Sequence, residues 1–241
     1  MFRFGFVISF TLVFGVVSIG VNNTTNTRSH KGKELLRDIL RDYEKSVRPI
    51  EQVDQPLHVY VQLSLQQILN LDEKNQHLQT GTMLTLRWHD DYLMWNPEEY
   101  GNITYLPIHS SLIWIPDITA YNKIEPDTTL VDKGIATVFS TGHVTHTQYS
   151  LLTTACDIDM TYFPYDEQKC NFSLGSLTSQ GNDYIVLEME KEDPIDRAYF
   201  YPNVEWEILD IHGENKNDSM REYVLMQRER YCLCERNVSS S

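Results

Sequence analysis

Cys156 and Cys170 enclose thirteen residues, with Phe163-Pro164-Tyr165-Asp166 in their midst. No other feature of the chain limits its fold so sharply. Closing such a loop with a disulfide would stabilise the fold by roughly 3 kcal/mol, through lost chain entropy in the unfolded state. A proline between two aromatic rings makes a stiff turn whose rings can pack on a neighbour. Disulfides need an oxidising compartment, and the chain has four cysteines, an even number that suggests two bridges.

The N-terminus agrees with that compartment. Met1-Phe2-Arg3 is a short positive region, an apolar run follows from Phe4 to Val17, and Ser18-Ile19-Gly20 supplies small residues for cleavage near Gly20. Residues 1–20 are therefore expected to be a signal peptide rather than an uncleaved anchor, with 21–30 a polar leader. Glycosylation triplets begin at Asn22, Asn23, Asn102, Asn171, Asn217 and Asn237. The expectation is a secreted glycoprotein with no membrane span in this chain, modified at Asn102, Asn171, Asn217 or Asn237.

Composition narrows the function. Asp and Glu number 34 against 20 Lys and Arg, a net charge of -14. A surface this acidic is a poor partner for phosphates, so nucleic acid is not expected; anything steered by the field is cationic.

Periodicity then sets the fold class. Leu35, Leu36, Ile39, Leu40 and Tyr43 recur at helical spacing, and Pro49 is expected to stop that helix. Beyond it the period becomes two. Val59, Val61, Leu63 and Leu65 alternate with Tyr60, Gln62, Ser64 and Gln66, and Leu84, Leu86 and Trp88 leave Met83, Thr85 and Arg87 on the other face. Similar runs recur around 135–140, 145–152, 184–190, 204–211 and 221–228. Strands at this spacing predict a single all-β domain, an antiparallel sandwich or barrel, over 31–235, followed by a polar tail at 236–241.

Catalytic patterns are missing. There is no Gly-x-Ser-x-Gly elbow, no His-Glu-x-x-His helix and no Gly-rich phosphate loop. His143 and His146, three apart on a strand, point to opposite faces and do not make a metal pair. Glu188, Glu190, Glu192, Asp193 and Asp196 lack the spacing of a calcium loop and read as a solvated strand end. Neither an enzyme nor a cofactor or metal site is expected.

The cysteine loop, with this spacing and interior, resembles the signature loop of the Cys-loop receptors, the pentameric ligand-gated channels and the soluble acetylcholine-binding proteins. Leu71 to Gln76, Trp88-x-Asp90-x-Tyr92-Leu93-x-Trp95-Asn96, Trp114-Ile115-Pro116-Asp117 with Tyr121-Asn122, and Glu205-Trp206-Glu207-Ile208 resemble further motifs of the same family. The likeness covers roughly residues 30 to 231. It implies a twisted ten-strand, immunoglobulin-like β-sandwich with an N-terminal helix, five copies in a ring, and ligands held between neighbours. One subunit would give loops A, B and C, the next D, E and F, forming an aromatic box for ammonium ligands.

Several positions depart from that box. Tyr121 stands at the loop A tyrosine. In loop B, Ser176-Leu177-Thr178 puts a leucine at the place of the tryptophan. Loop D has Met83 in place of an aromatic ring, with Thr85 and Arg87 along the same face. Thr137, Thr145 and Thr147 fall at the loop E positions. Loop C, from Glu214 to Ser219, is short and lacks both the adjacent cysteine pair and flanking tyrosines. Cys232 and Cys234 follow the last strand; they make a strained second bridge, a bridge to another chain or two free thiols. The resulting expectation is a soluble secreted homopentamer, similar to acetylcholine-binding proteins and to invertebrate (annelid) homologues with an eroded box, whose partners are four identical subunits and an unidentified small molecule. The alternatives are the truncated ectodomain of a channel subunit and a structural or protein-binding ring.

Overall fold

The computed structural model describes residues 24–52, 54–124, 128–129, 134–163, 165–176, 184–189, 200–203, 205–216 and 219–228. The expected signal peptide, Leu177, Thr178, Cys232, Cys234, Asn217, Asn237 and the tail lie outside them.

One helix opens the domain, α1 (Thr24–Ile39). It differs from expectation at both ends. It begins within the supposed polar leader and stops at Ile39, ten residues before Pro49. The apolar stripe continues past the helix because Tyr43 is needed elsewhere. Its hydroxyl donates to Asp90 Oδ2 at 2.7 Å and accepts the Trp114 N–H at 3.1 Å, which draws the chain off the helix axis. Leu35 is fully buried beneath the helix.

Eleven strands follow among the described residues, one more than the ten expected. They are β1 (Leu57–Asp72), β2 (His77–Met94), β3 (Tyr105–His109), β4 (Ile118–Ala120), β5 (Thr128–Thr129), β6 (Ile135–Phe139), β7 (Thr141–Ala155), β8 (Glu167–Ser176), β9 (Ile185–Met189), β10 (Trp206–Lys216) and β11 (Ser219–Arg228). The first sheet runs β3-β6-β7-β2-β1-β9, with β5 also on β7; the second runs β10-β11-β8-β4. Only β9 against β1 is parallel among these pairs.

The alternation read from the sequence builds the core. Val59, Val61, Leu63 and Leu65 are buried from β1, Leu86 and Trp88 from β2, and Phe172 and Leu174 meet them from β8. Trp88 contacts Trp114 edge to face at 5.9 Å between ring centres. His143 is exposed while His146 is buried, as strand alternation requires. This sandwich is the all-β fold the sequence called for.

Cys156, just after β7, is bonded to Cys170 in β8, so the disulfide ties one sheet to the other. Gln168 holds the enclosed loop from inside, donating to Asp159 O at 2.8 Å and to Asp166 Oδ2 at 2.6 Å. Outside, Tyr162, Phe163 and Tyr165 are 74%, 55% and 57% exposed. The chain therefore presents a large apolar tip at a covalently closed turn.

Candidate functional site

Short β4 pairs with the end of β8, setting Ile118 opposite Ser176, Thr119 opposite Gly175 and Ala120 opposite Leu174. The chain leaving this ladder is held by side-chain bonds. Tyr121 N–H donates to Ser173 O at 2.7 Å, and its hydroxyl donates to Ser176 O at 2.8 Å. The ring lies directly over Gly175, where a Cβ would collide with it, so glycine is required there for the tyrosine to sit as it does. Asn122 donates to Asn171 O at 2.7 Å and accepts the Ser173 N–H at 3.1 Å. Ser176 Oγ donates to Asp117 Oδ1 at 2.6 Å. Tyr121 remains 48% exposed, a ring anchored at its hydroxyl with a face open to solvent.

The second set of expected residues lies on the other sheet. The ladder brings Thr137, Thr145 and Arg87 into one cross-strand row, with Thr85 opposite Thr147 and Met83 opposite Tyr149. Met83, Thr85 and Arg87 alternate along β2 and so share a face. Thr85 and Thr147 hydroxyls lie 3.2 Å apart, and Thr85 is nearly buried, so it forms floor rather than rim. Arg87, Thr137 and Thr145, with Phe139, Thr141 and His143, line a shallow concavity of about 680 Å³.

The expected residues thus fall into two groups, one beside each sheet, as two candidate half-sites. Tyr121 and Ser176 belong to one, and Met83, Thr85, Arg87, Thr137, Thr145 and Thr147 to the other. Within the segment expected as loop C, β10 and β11 stay paired out to Lys216 opposite Ser219, leaving only two residues between them. Asn102 is exposed in a left-handed turn, whereas Asn171 sits half-buried in β8 with its amide oxygen 3.4 Å from Asn122 Nδ2.

Sequence reasoning did not find the supports of these half-sites. Gly175, Asp117 and Asn122 position Tyr121, and their signal was only their presence within motifs. Behind β2, Asp90 is fully buried; burial pushes its carboxyl up to about 6, against the hydrogen bonds it accepts from Tyr43 and from the Tyr92 and Leu93 N–H groups. Tyr43 is in turn raised by burial and by Asp90. On β7, burial lowers the pKa of His146. Among the described residues no group of three or more metal-ligating side chains comes together.

Neuronal acetylcholine receptor subunit alpha-9-II of Oncorhynchus mykiss is 37% identical over 75% of this chain and 32% of its own length. Non-alpha-2 of Carassius auratus is 34% identical over 85% of this chain and 44% of its own. Subunit alpha-4 of Homo sapiens is 33% identical over 84% and 32% respectively. The chain thus spans about a third to under half the length of these relatives. Residues 32–231 match the neurotransmitter-gated ion-channel ligand binding domain; the chain belongs to that family, and it is an extracellular ligand-binding domain of the Cys-loop receptor type.

Proposed function

We propose that this chain is a soluble, secreted protein that assembles as a ring of five identical subunits and binds a small molecule between neighbours. The observation that carries the reading is that the candidate residues fall into two groups on separate sheets, with Tyr121 exposed in one and Met83, Arg87, Thr137, Thr145 and Thr147 partly exposed in the other; in this reading a second copy completes each. The apolar leader supports secretion.

Recognition of ammonium ligands is weak in this reading. An ammonium group loses hydration on entering a site, and ring faces compensate at roughly 0.5–2 kcal/mol each. Met83 supplies no ring, and neither does Leu177. The short β10–β11 connection covers less of the ligand. Loss of two rings at roughly 1 kcal/mol each weakens binding about thirtyfold. Tyr121 is the ring that remains, and larger amphipathic molecules fit better, with Met83 as apolar wall. Calorimetry with acetylcholine and nicotine tests this: millimolar binding or none is expected, and a low micromolar dissociation constant refutes it. Light scattering of the deglycosylated protein tests the ring, which a monomeric mass would exclude. Asn102, exposed on a turn, is the proposed principal glycan site, and glycopeptide mapping checks it.

A second reading is the ectodomain of a membrane channel subunit. The exposed rings of Tyr162, Phe163 and Tyr165 favour it, since a contiguous apolar tip marks a contact surface, as does the greater length of the relatives. A full-length transcript encoding further apolar spans would establish this reading over the first.

A further inference from the structure

Beyond the complementary half-site, the same face of the first sheet deepens into a concavity of about 930 Å³ between residues 50–58 and strands β1, β2, β7 and β9. This size is typical of small-molecule pockets. It shares Arg87 and Thr145 with the half-site but extends away from Met83. Leu57, Trp88 and Val144 form its base, each at most 4% exposed. Tyr60 from β1, Met94 from β2 and Met189 from β9 make adaptable walls. His89 and His143 add an edge-to-face ring pair with centres 5.2 Å apart.

Its polar groups have a sign. The carboxylates of Glu51 and Asp91 lie at one end, where Asp91 Oδ2 accepts the Glu51 N–H at 2.8 Å and Asp91 Oδ1 is 3.3 Å from His89 Nε2. Arg87, the guanidinium of this lining, is four residues back along β2, about 13 Å at strand rise. His58 is bonded to Glu188 at 2.6 Å.

We propose that this concavity is a second small-molecule site, which takes an amphipathic amine. The ammonium group lies between Glu51 and Asp91. The apolar body covers Tyr60, Met94 and Met189. The proposal does not depend on the ring of five or on the half-sites.

Dansylcadaverine titrated into the full protein at pH 8, where histidines as a class are neutral, tests it by fluorescence, with anionic dansylglycine as the matched control. Saturable binding of the amine is expected, with little response to the anion. Glu51 is exposed, so Glu51→Lys keeps the fold and should weaken binding at least about tenfold, with Asp91→Asn acting in the same direction. Tyr121→Ala should leave the Glu51-dependent part of the binding unchanged. Equal binding of dansylglycine overturns the proposal. So does binding lost in Tyr121→Ala but kept in Glu51→Lys. Absence of saturable binding, the outcome if a second copy covers the concavity, also overturns it.

Discussion

The two half-sites are built by different means. Around Tyr121, the chain leaves a three-residue strand and is held by named side chains: Asn122 on β8, Ser176 on Asp117, and the tyrosine hydroxyl on a carbonyl. Around Met83, long β1, β2 and β7 hold the backbone through their ladders, with the Thr85–Thr147 hydroxyl contact beside them. The first half is specified by particular residues and loses its geometry when one changes. The second keeps its geometry whatever its outward residues are, so its chemistry is free to vary. This is why Tyr121 stands with its supports while a methionine and threonines occupy the opposite half.

The comparison can be broken most severely at the bond that joins the sheets. Cys156→Ser should cost about 2–5 kcal/mol or abolish secretion, read by melting and yield; unchanged values would mean the halves are coupled without it. The next effect lies behind β2. Asp90 binds its proton more tightly folded, at about 6, than unfolded, at 3.8, so stability falls as pH rises from about 4 to 6, by about 3 kcal/mol. His146 acts oppositely: the folded state resists its protonation, and stability falls as pH drops below the ordinary histidine value of 6.5. Asp90→Asn should leave only the acid-side loss, and His146→Phe only the Asp90 slope, in melting temperatures from pH 4 to 8. Identical profiles for both variants would show that neither group carries the dependence.

Asn122→Ala should cost about 1–3 kcal/mol, because it leaves the Ser173 N–H and Asn171 carbonyl without their partner. Chemical denaturation measures it, and a loss below 0.5 kcal/mol would erase the contrast with the other half. Met83→Trp should raise affinity for a quaternary ammonium about fivefold with no loss of stability, since it adds a ring at a position the ladder already holds. A destabilised variant would show that Met83 is packed rather than presented. The smallest effect is expected for Thr147→Val, within about 0.5 kcal/mol, because its hydroxyl contact with Thr85 is weak at 3.2 Å.

Much of this was legible in the residues. Alternation in 59–66 and 83–88 located strands and their inward faces, since a strand's period of two is strictly local. The spacing of Cys156 and Cys170 suited the loop that the bridge now closes. The helix was misjudged because Leu40 and Tyr43 continue its apolar stripe, and only a partner distant in sequence, Asp90, shows why Tyr43 leaves the helical path.

By itself, then, the sequence determined the two-faced strands and the cysteine loop, because those follow from local period and spacing, while the candidate half-site positions came from resemblance to the family. Tertiary structure alone decided that Gly175 lies under Tyr121, that Asp90 and His146 titrate against burial, and that Met83 and Tyr121 stand on different sheets. Each of those depends on which strand lies beside which, and hydrogen-bond partners from β2 to β8 are chosen by packing of the whole sandwich, which no local pattern encodes.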